Sequence, residues 1–68
     1  MRIELNGEPV ELGEGAMVAD AVAAAGTDPE RRGIAVALDG DVVPRSAWDD
    51  TPLAEGRRVD VLQAVQGG

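Results

Sequence analysis

RIELNGEPVEL, the sequence of residues 2–12, alternates apolar and polar side chains on both sides of the pair Asn6-Gly7. Such alternation is typical of β-strands with one buried face. Asn-Gly is the pair most suited to a tight hairpin turn, because both of its positions tolerate a positive φ. The stretch therefore predicts two antiparallel strands, and Pro9 near the start of the second strand favours an edge position in the sheet.

A helical pattern follows from Met17 to Ala25. The apolar residues at positions i, i+3, i+4 and i+7 are Val18, Ala21, Val22 and Ala25. Gly26 is suited to end the helix in a left-handed conformation. Position 17 lacks the Ser, Thr, Asn or Asp side chain that would cap the start, whereas three consecutive alanines favour the helix.

The remaining sequence predicts three further strands. A strand at residues 34–38 is joined by the turn Asp39-Gly40 to a return strand at 41–43, and a turn or short helical segment follows at 45–50. The last strand covers residues 57–65. The order β-β-α-β-β-β indicates an α+β roll, in which one helix covers one face of a mixed sheet of about five strands. The predicted core consists of Ile3, Leu5, Val18, Val22, Val36, Leu38, Val59 and Val61. We expect one domain at residues 1–65 and a flexible tail at residues 66–68.

The residue inventory restricts the chemistry that the chain can perform. Its 68 residues include no Cys, His, Lys or Tyr, and Ser46 is the single serine. Disulfides are therefore excluded, and a transition-metal site would need carboxylates alone. The usual nucleophiles and general bases are missing as well, which argues against a self-contained enzyme. Without lysine, the N-terminus is the one amine, so a conjugated chain would be a donor.

The formal net charge is −7. An acidic surface repels phosphate backbones, so we expect no nucleic acid partner. It favours a partner with a basic face, or simply keeps a small protein soluble. No apolar run has the length of a membrane span, and the first residues do not resemble a signal peptide. We expect a cytoplasmic protein without a membrane partner.

The pair Gly67-Gly68 is the strongest candidate for the functional part of the chain. Neither residue has a Cβ, so the pair can pass extended through a narrow channel. The α-carboxylate of Gly68, with a reference pKa of about 3.5, can attack the α-phosphate of ATP to give an acyl-adenylate. That anhydride is open to a sulfur nucleophile, which leaves a thiocarboxylate. The chain has no Gly-Lys phosphate loop, so we expect it to bind no cofactor and a partner to bind the ATP. The alternative is that two glycines are a frayed end.

The chain resembles the ThiS group of sulfur carriers of thiamine biosynthesis, within the ubiquitin-like β-grasp superfamily. The resemblance covers nearly the whole chain and rests on Asn6-Gly7, VALDG at 36–40, VVPR at 42–45, Trp48, Glu55-Gly56 and VQGG at 65–68. It implies a β-grasp fold and a Gly68 carboxylate that a ThiF-like adenylating enzyme activates with ATP. It also implies a sulfur donor protein and a thiazole synthase (ThiG-like) that receives the sulfur. Met17 departs from the pattern, because members of the group often have Thr or Ser there.

Several residues are candidates for binding these partners. Val65, Gln66 and Gly67 would thread the partner's channel. Leu62, Val43 and Ala64 are candidates for an exposed apolar patch, although Leu62 can also be core on the other side of a bent strand.

Other side chains have simpler interpretations beside the functional one. Arg45 either contacts a partner or caps a loop, and Trp48 is more often packing than an interface anchor. The pair Arg57-Arg58 is most simply a solvated strand edge. Asp39 and Asp41 serve their turn rather than bind calcium.

Two alternatives to the thiazole carrier stay open. The tail chemistry can serve another recipient, as in the small subunit of molybdopterin synthase, another sulfur carrier or a conjugating modifier. The chain can also be a non-catalytic β-grasp interaction module. We expect a monomer that binds different partners in turn.

Overall fold

The computed structural model describes residues 1–26 and 33–63. The strands are β1 (Arg2–Leu5), β2 (Glu8–Glu11), β3 (Ile34–Leu38), β4 (Asp41–Val42) and β5 (Arg58–Gln63), with the helix α1 (Val18–Ala24) between β2 and β3 and a 3₁₀ turn at Arg45–Ala47 between β4 and β5. The predicted order β-β-α-β-β-β is confirmed. Residues 64–68, which include the predicted end of the last strand and the tail, lie outside the described residues.

The five strands form one mixed sheet in the order β2-β1-β5-β3-β4. Strand β5 is central, because it pairs in parallel with β1 and antiparallel with β3. The expectation that Arg57-Arg58 marks a strand edge is therefore wrong, since the strand that Arg58 begins has a neighbour on each side. The edge position of Pro9 is confirmed. Pro9 lies in β2, an outermost strand of the sheet, where it pairs with Glu4 of β1.

One face of the sheet is covered by α1 and the loops around it. All eight predicted core residues are buried there, together with Ala19, Ala21, Val43, Trp48 and Leu53. Trp48 is 1% exposed, and its indole Nε1–H donates to the carbonyl of Val43 at 2.9 Å. The interpretation of Trp48 as a packing residue is confirmed.

The helix begins and ends one residue inside its predicted bounds. Met17 is the N-cap, with φ −109° and ψ 170°, and Ala25 is the C-cap. Gly26 adopts the expected left-handed conformation, with φ +71°.

The start of α1 is capped by another part of the chain. The N–H groups of Val18 and Ala19 donate to the carbonyls of Thr51 and Trp48, at 2.9 and 3.0 Å. The Met17 N–H in turn donates to Asp20 Oδ2 at 2.7 Å. The loop before β5 therefore supplies acceptors that the sequence around residue 17 lacks.

Candidate functional site

The described chain ends where the central strand reaches the end of the sheet. Gln63, the last residue of β5, lies opposite Ile34 at the start of β3. The predicted site residues Val65, Gln66, Gly67 and Gly68 lie outside the described residues. Their point of attachment is nevertheless fixed, because the chain passes from Gln63 into residues 64–68 at this end of the sheet.

Leu62 lies on the sheet face that α1 leaves uncovered. It is 70% exposed, whereas Val61 beside it is buried, because successive side chains of a strand point to opposite faces. Its cross-strand neighbour is Ala35, which is also exposed. The expected exposure of Leu62 is confirmed, and the alternative of a core position is wrong.

Val42, rather than Val43, extends this apolar surface. Val43 is 9% exposed and its N–H donates to the carbonyl of Val36, so its predicted place in the patch is wrong. Val42 is 78% exposed and lies opposite Ala37, which puts it on the outer face. The two adjacent valines must point to opposite faces, and the pairing of β4 with β3 decides which one is buried. The third predicted member, Ala64, lies outside the described residues.

The surface formed by Ala35, Ala37, Val42 and Leu62 is called the outer patch below. Val42 and Leu62 are the large apolar side chains left exposed among residues 1–26 and 33–63. Both lie beside β3, one on each side of it, so the two alanines of that strand join them. The outer patch is thus continuous across three strands.

Arg45 lies at the same end of the sheet as the tail. Strands β4 and β5 are both antiparallel to β3, so they run in the same direction. The chain leaves β4 through Pro44 to Arg45 where β5 also ends, about 10 Å away across two strand spacings. The guanidinium carbon of Arg45 lies 6.0 Å from the centroid of the Trp48 ring. Arg45 is therefore held at the end of the sheet where β5 also ends, with its guanidinium over the ring of the buried Trp48.

A charged border lies next to the outer patch along β5. Asp60 is opposite Ala37, and its Oδ2 is 3.3 Å from Nε of Arg58. Further along, Asp39 accepts hydrogen bonds from the backbone N–H of Arg58 and from Nε of Arg57. These two donors, the Arg58 N–H first, hold the pKa of the Asp39 carboxyl below its ordinary value of 3.8. The prediction that Asp39 serves its turn is confirmed, since φ is +49° there and the carboxylate binds the adjacent strand.

Two hollows of the described surface lie away from the end of β5. One of about 410 Å³ follows residues 12–16 with Asp20, and one of about 230 Å³ lies between β1, β2 and residues 55–56. The part of the chain that the structure describes contains no cluster of His, Cys, Asp and Glu able to hold a metal ion. No helix within residues 1–26 and 33–63 has the length and apolar character needed to cross a membrane.

Both the sequence and the fold are similar to those of known proteins. The sequence profile described as the ThiS family matches residues 3–68. The chain belongs to the ThiS family. A crystal structure of the thiamine biosynthesis protein ThiS from Geobacter metallireducens is 28% identical, with full coverage of both chains and a TM-score of 0.78. An NMR structure of a thiamine biosynthesis protein from the same organism is 30% identical, covers all of this chain and 88% of that one, and has a TM-score of 0.79. No curated protein matches the chain in sequence.

Membership of the ThiS family agrees with the β-grasp architecture, one helix on a mixed five-stranded sheet. Among the predicted site residues that the structure describes, the sequence placed Leu62 correctly on the outer face. It missed Val42 and the central position of β5. A signal for Val42 existed in the Asp39-Gly40 turn, because a two-residue hairpin loop puts residue 42 opposite residue 37.

Proposed function

We propose that this chain is a sulfur carrier for thiazole synthesis, and that the α-carboxylate of Gly68 is its reacting group. The match to the ThiS family carries this proposal, because it extends through Gly67 and Gly68. The solved ThiS structure, covered over its whole length by this chain, supports it. The chain acts as a co-substrate, and an adenylating partner of the ThiF type binds the ATP.

The chemistry needs two steps, the first at the α-phosphorus of ATP and the second at the carboxyl carbon of Gly68. A carboxylate oxygen of Gly68 attacks the α-phosphorus of ATP, the acyl-adenylate forms and pyrophosphate leaves. Hydrosulfide then attacks the acyl carbon and AMP leaves. With hydrosulfide the product is the thiocarboxylate, and one proton is released. The thiocarboxylate sulfur then passes to the thiazole synthase.

The attachment point of the tail limits where a partner must sit. Five residues follow Gln63, and a chain of that length spans at most about 17 Å. A partner that acts on Gly68 must therefore bring its active site within that distance of the end of β5. The outer patch lies within this distance, because it begins at Leu62, one residue before Gln63.

The outer patch and the net charge suit this encounter. Leu62 and Val42 offer apolar area at the centre of a potential contact, and Arg58 and Asp60 form a polar border. Interfaces of this composition bury an apolar centre within a polar rim. The charge of −7 speeds approach to an adenylating enzyme with a basic face.

Conversion of the terminal carboxylate tests the proposal directly. The chain is incubated with ATP, a ThiF-type enzyme and sulfide, and the exchange of one oxygen atom for sulfur is followed by intact mass. Oxidation of Met1 or Met17 gives almost the same mass change, so fragmentation must locate the sulfur at Gly68. A shift confined to the methionines, with an unchanged C-terminal peptide, would refute the carrier function.

Two tail variants distinguish the reaction at Gly68 from the passage of the tail through the partner's channel. Removal of Gly68 eliminates the reacting carboxylate from its position, so no thiocarboxylate is expected. Gly67→Ala keeps the carboxylate and adds a Cβ, so slow turnover is expected if the partner's channel accepts only glycine. Addition of thiazole synthase, or of the large subunit of molybdopterin synthase, then identifies the recipient that consumes the sulfur.

A further inference from the structure

The amine of Met1 is built into the hairpin ladder. Its N–H donates to the carbonyl of Leu12 at 2.7 Å, and the Leu12 N–H donates back to the Met1 carbonyl at 2.8 Å. The pair continues the β1–β2 register by one residue beyond Arg2 and Glu11. The Met1 side chain is 5% exposed. The amine is thus held by the last pair of backbone hydrogen bonds in the ladder.

Two carboxylates surround the same amine. Glu14 Oε2 lies 3.3 Å from the Met1 nitrogen and Glu11 Oε2 lies 3.7 Å from it. The ammonium group thus donates a hydrogen bond to the Leu12 carbonyl and is paired with two exposed carboxylates. The sequence contains no lysine, so this is the amine that the chain can offer.

The amine and the tail lie at opposite ends of the sheet. Strands β1 and β5 are parallel and pair at Glu4 and Arg58. Met1 is three residues before this pair and Gln63 is five residues beyond it, so about 26 Å of strand separates them. Residues 64–68 span at most about 17 Å, whatever their conformation. The C-terminus therefore cannot reach the amine of its own chain.

We propose that the folded body protects the activated C-terminus from aminolysis by the carrier itself, so that the acyl group passes to an external sulfur nucleophile. This inference rests on the proposed reaction at Gly68. In the reaction that is avoided, the amine nitrogen attacks the acyl carbon of the adenylate. A C–N bond forms, the C–O bond to AMP breaks and a proton is released. Distance prevents this step within one chain, and the ladder hydrogen bonds with the two carboxylates prevent it between chains.

Acylation of the amine in the folded protein tests whether the ladder hydrogen bonds and the two carboxylates protect it. An N-hydroxysuccinimide ester of acetate is added at neutral pH, and labelling of Met1 is followed by mass in buffer and in denaturant. The variant Leu62→Lys supplies an exposed reference amine in the same molecule. A free α-amine has a reference pKa of about 7.7–8.0 against about 10.4 for lysine, so an unprotected Met1 would react faster than the introduced amine. We expect the reverse order, with Met1 about tenfold slower in the folded chain than in denaturant, as for a group that reacts only after local opening. Equal rates in the two solvents overturn the inference.

A chain activated without any enzyme tests whether the Met1 amine attacks the activated C-terminus of its own chain or of another chain. The full chain carrying a C-terminal thioester at Gly68 is held at neutral pH and high concentration. The wild-type chain is expected to hydrolyse, whereas Leu62→Lys places an amine within reach of the tail and forms an intramolecular amide with loss of the thiol. A cyclic or amide-linked dimeric wild-type chain overturns the inference. Neither experiment uses an adenylating partner, so failure of the proposed function would leave both results unchanged.

Discussion

Asp39 and Arg58 are joined by two reciprocal hydrogen bonds. The Asp39 N–H donates to the Arg58 carbonyl at 2.8 Å, and the Arg58 N–H donates to Asp39 Oδ1 at 2.9 Å. The second carboxylate oxygen accepts from Nε of Arg57. One side chain at the β3–β4 turn therefore holds that turn to the start of the central strand.

Asp39→Asn should reduce stability at neutral pH and remove part of its acid dependence. The Arg58 N–H and then Arg57 lower the pKa of the folded Asp39 carboxyl below 3.8, so the unfolded chain takes up this proton first as the pH falls. The stabilisation is therefore present above pH 3.8 and is lost as the pH falls through the lower, folded pKa. Asparagine tolerates the positive φ at this position, so the substitution tests the charge rather than the turn. Urea midpoints measured by circular dichroism from neutral to acid pH check this expectation.

Asp41→Asn is the matched control for that series. Asp41 lies on the other side of the same turn and is exposed, and the substitution changes the net charge by the same amount. The urea midpoint of this variant should change with pH in the same way as that of the wild type. An equal loss in both variants would mean that the general charge of the chain, rather than the contact with Arg58, produces the effect.

Trp48→Phe should lower the free energy of unfolding by about 2–3 kcal/mol. The substitution removes buried volume and takes the indole donor away from the Val43 carbonyl. Denaturant unfolding followed by circular dichroism measures the change, since Trp48 is the single tryptophan. Arg45→Ala removes the charge above the ring, for which less than about 1 kcal/mol is expected. A larger effect of Arg45→Ala than of Trp48→Phe would contradict this account.

The local elements could be predicted because short patterns determine them. Asn6-Gly7 with alternation on both sides specifies a hairpin, and the spacing from Val18 to Ala25 specifies an amphipathic helix. The core follows from the same periods, since each apolar face must be buried. These inferences need no knowledge of which elements meet in space.

The order of the strands in the sheet could not be predicted from short sequence patterns. The parallel pairing of β1 with β5 joins residues more than fifty positions apart, for example in the hydrogen bond from the Asn6 N–H to the Val59 carbonyl. Hence Arg58 was misassigned to an edge. Two adjacent valines do not by themselves show which one faces the core, so Val42 and Val43 can be told apart only from the register that the Asp39-Gly40 turn sets. The helix cap from Thr51 and Trp48 is equally long-range.

Met17→Ser should change the free energy of unfolding by less than about 0.5 kcal/mol, although a serine N-cap usually contributes about 1 kcal/mol. The amides of Val18 and Ala19 already donate to loop carbonyls, so a new hydroxyl finds few unsatisfied donors. Asp20→Ala should cost about 1 kcal/mol, because it removes the acceptor of the Met17 N–H. Chemical denaturation of both variants checks the pair. A gain of more than about 1 kcal/mol for Met17→Ser would show that the loop caps the helix incompletely.

Leu62→Asp should weaken recognition by the adenylating partner and leave the fold intact. Leu62 is exposed, so the free energy of unfolding should change by less than about 0.5 kcal/mol. Truncating the centre of an interface costs more than about 1.4 kcal/mol when that residue is an anchor, which is a tenfold loss. We therefore expect the KM of the partner for this chain to rise about tenfold or more, with kcat nearly unchanged at saturation.

Ala23→Asp separates docking at the outer patch from a general charge effect. Ala23 is exposed on α1, which covers the opposite face of the sheet, and the variant adds the same negative charge. A long-range electrostatic effect on the encounter with the partner would be alike in both variants, because the long-range field depends on net charge. Loss of apolar contact affects Leu62→Asp alone. An equal rise of KM in the two variants would therefore rule out the outer patch as the docking surface.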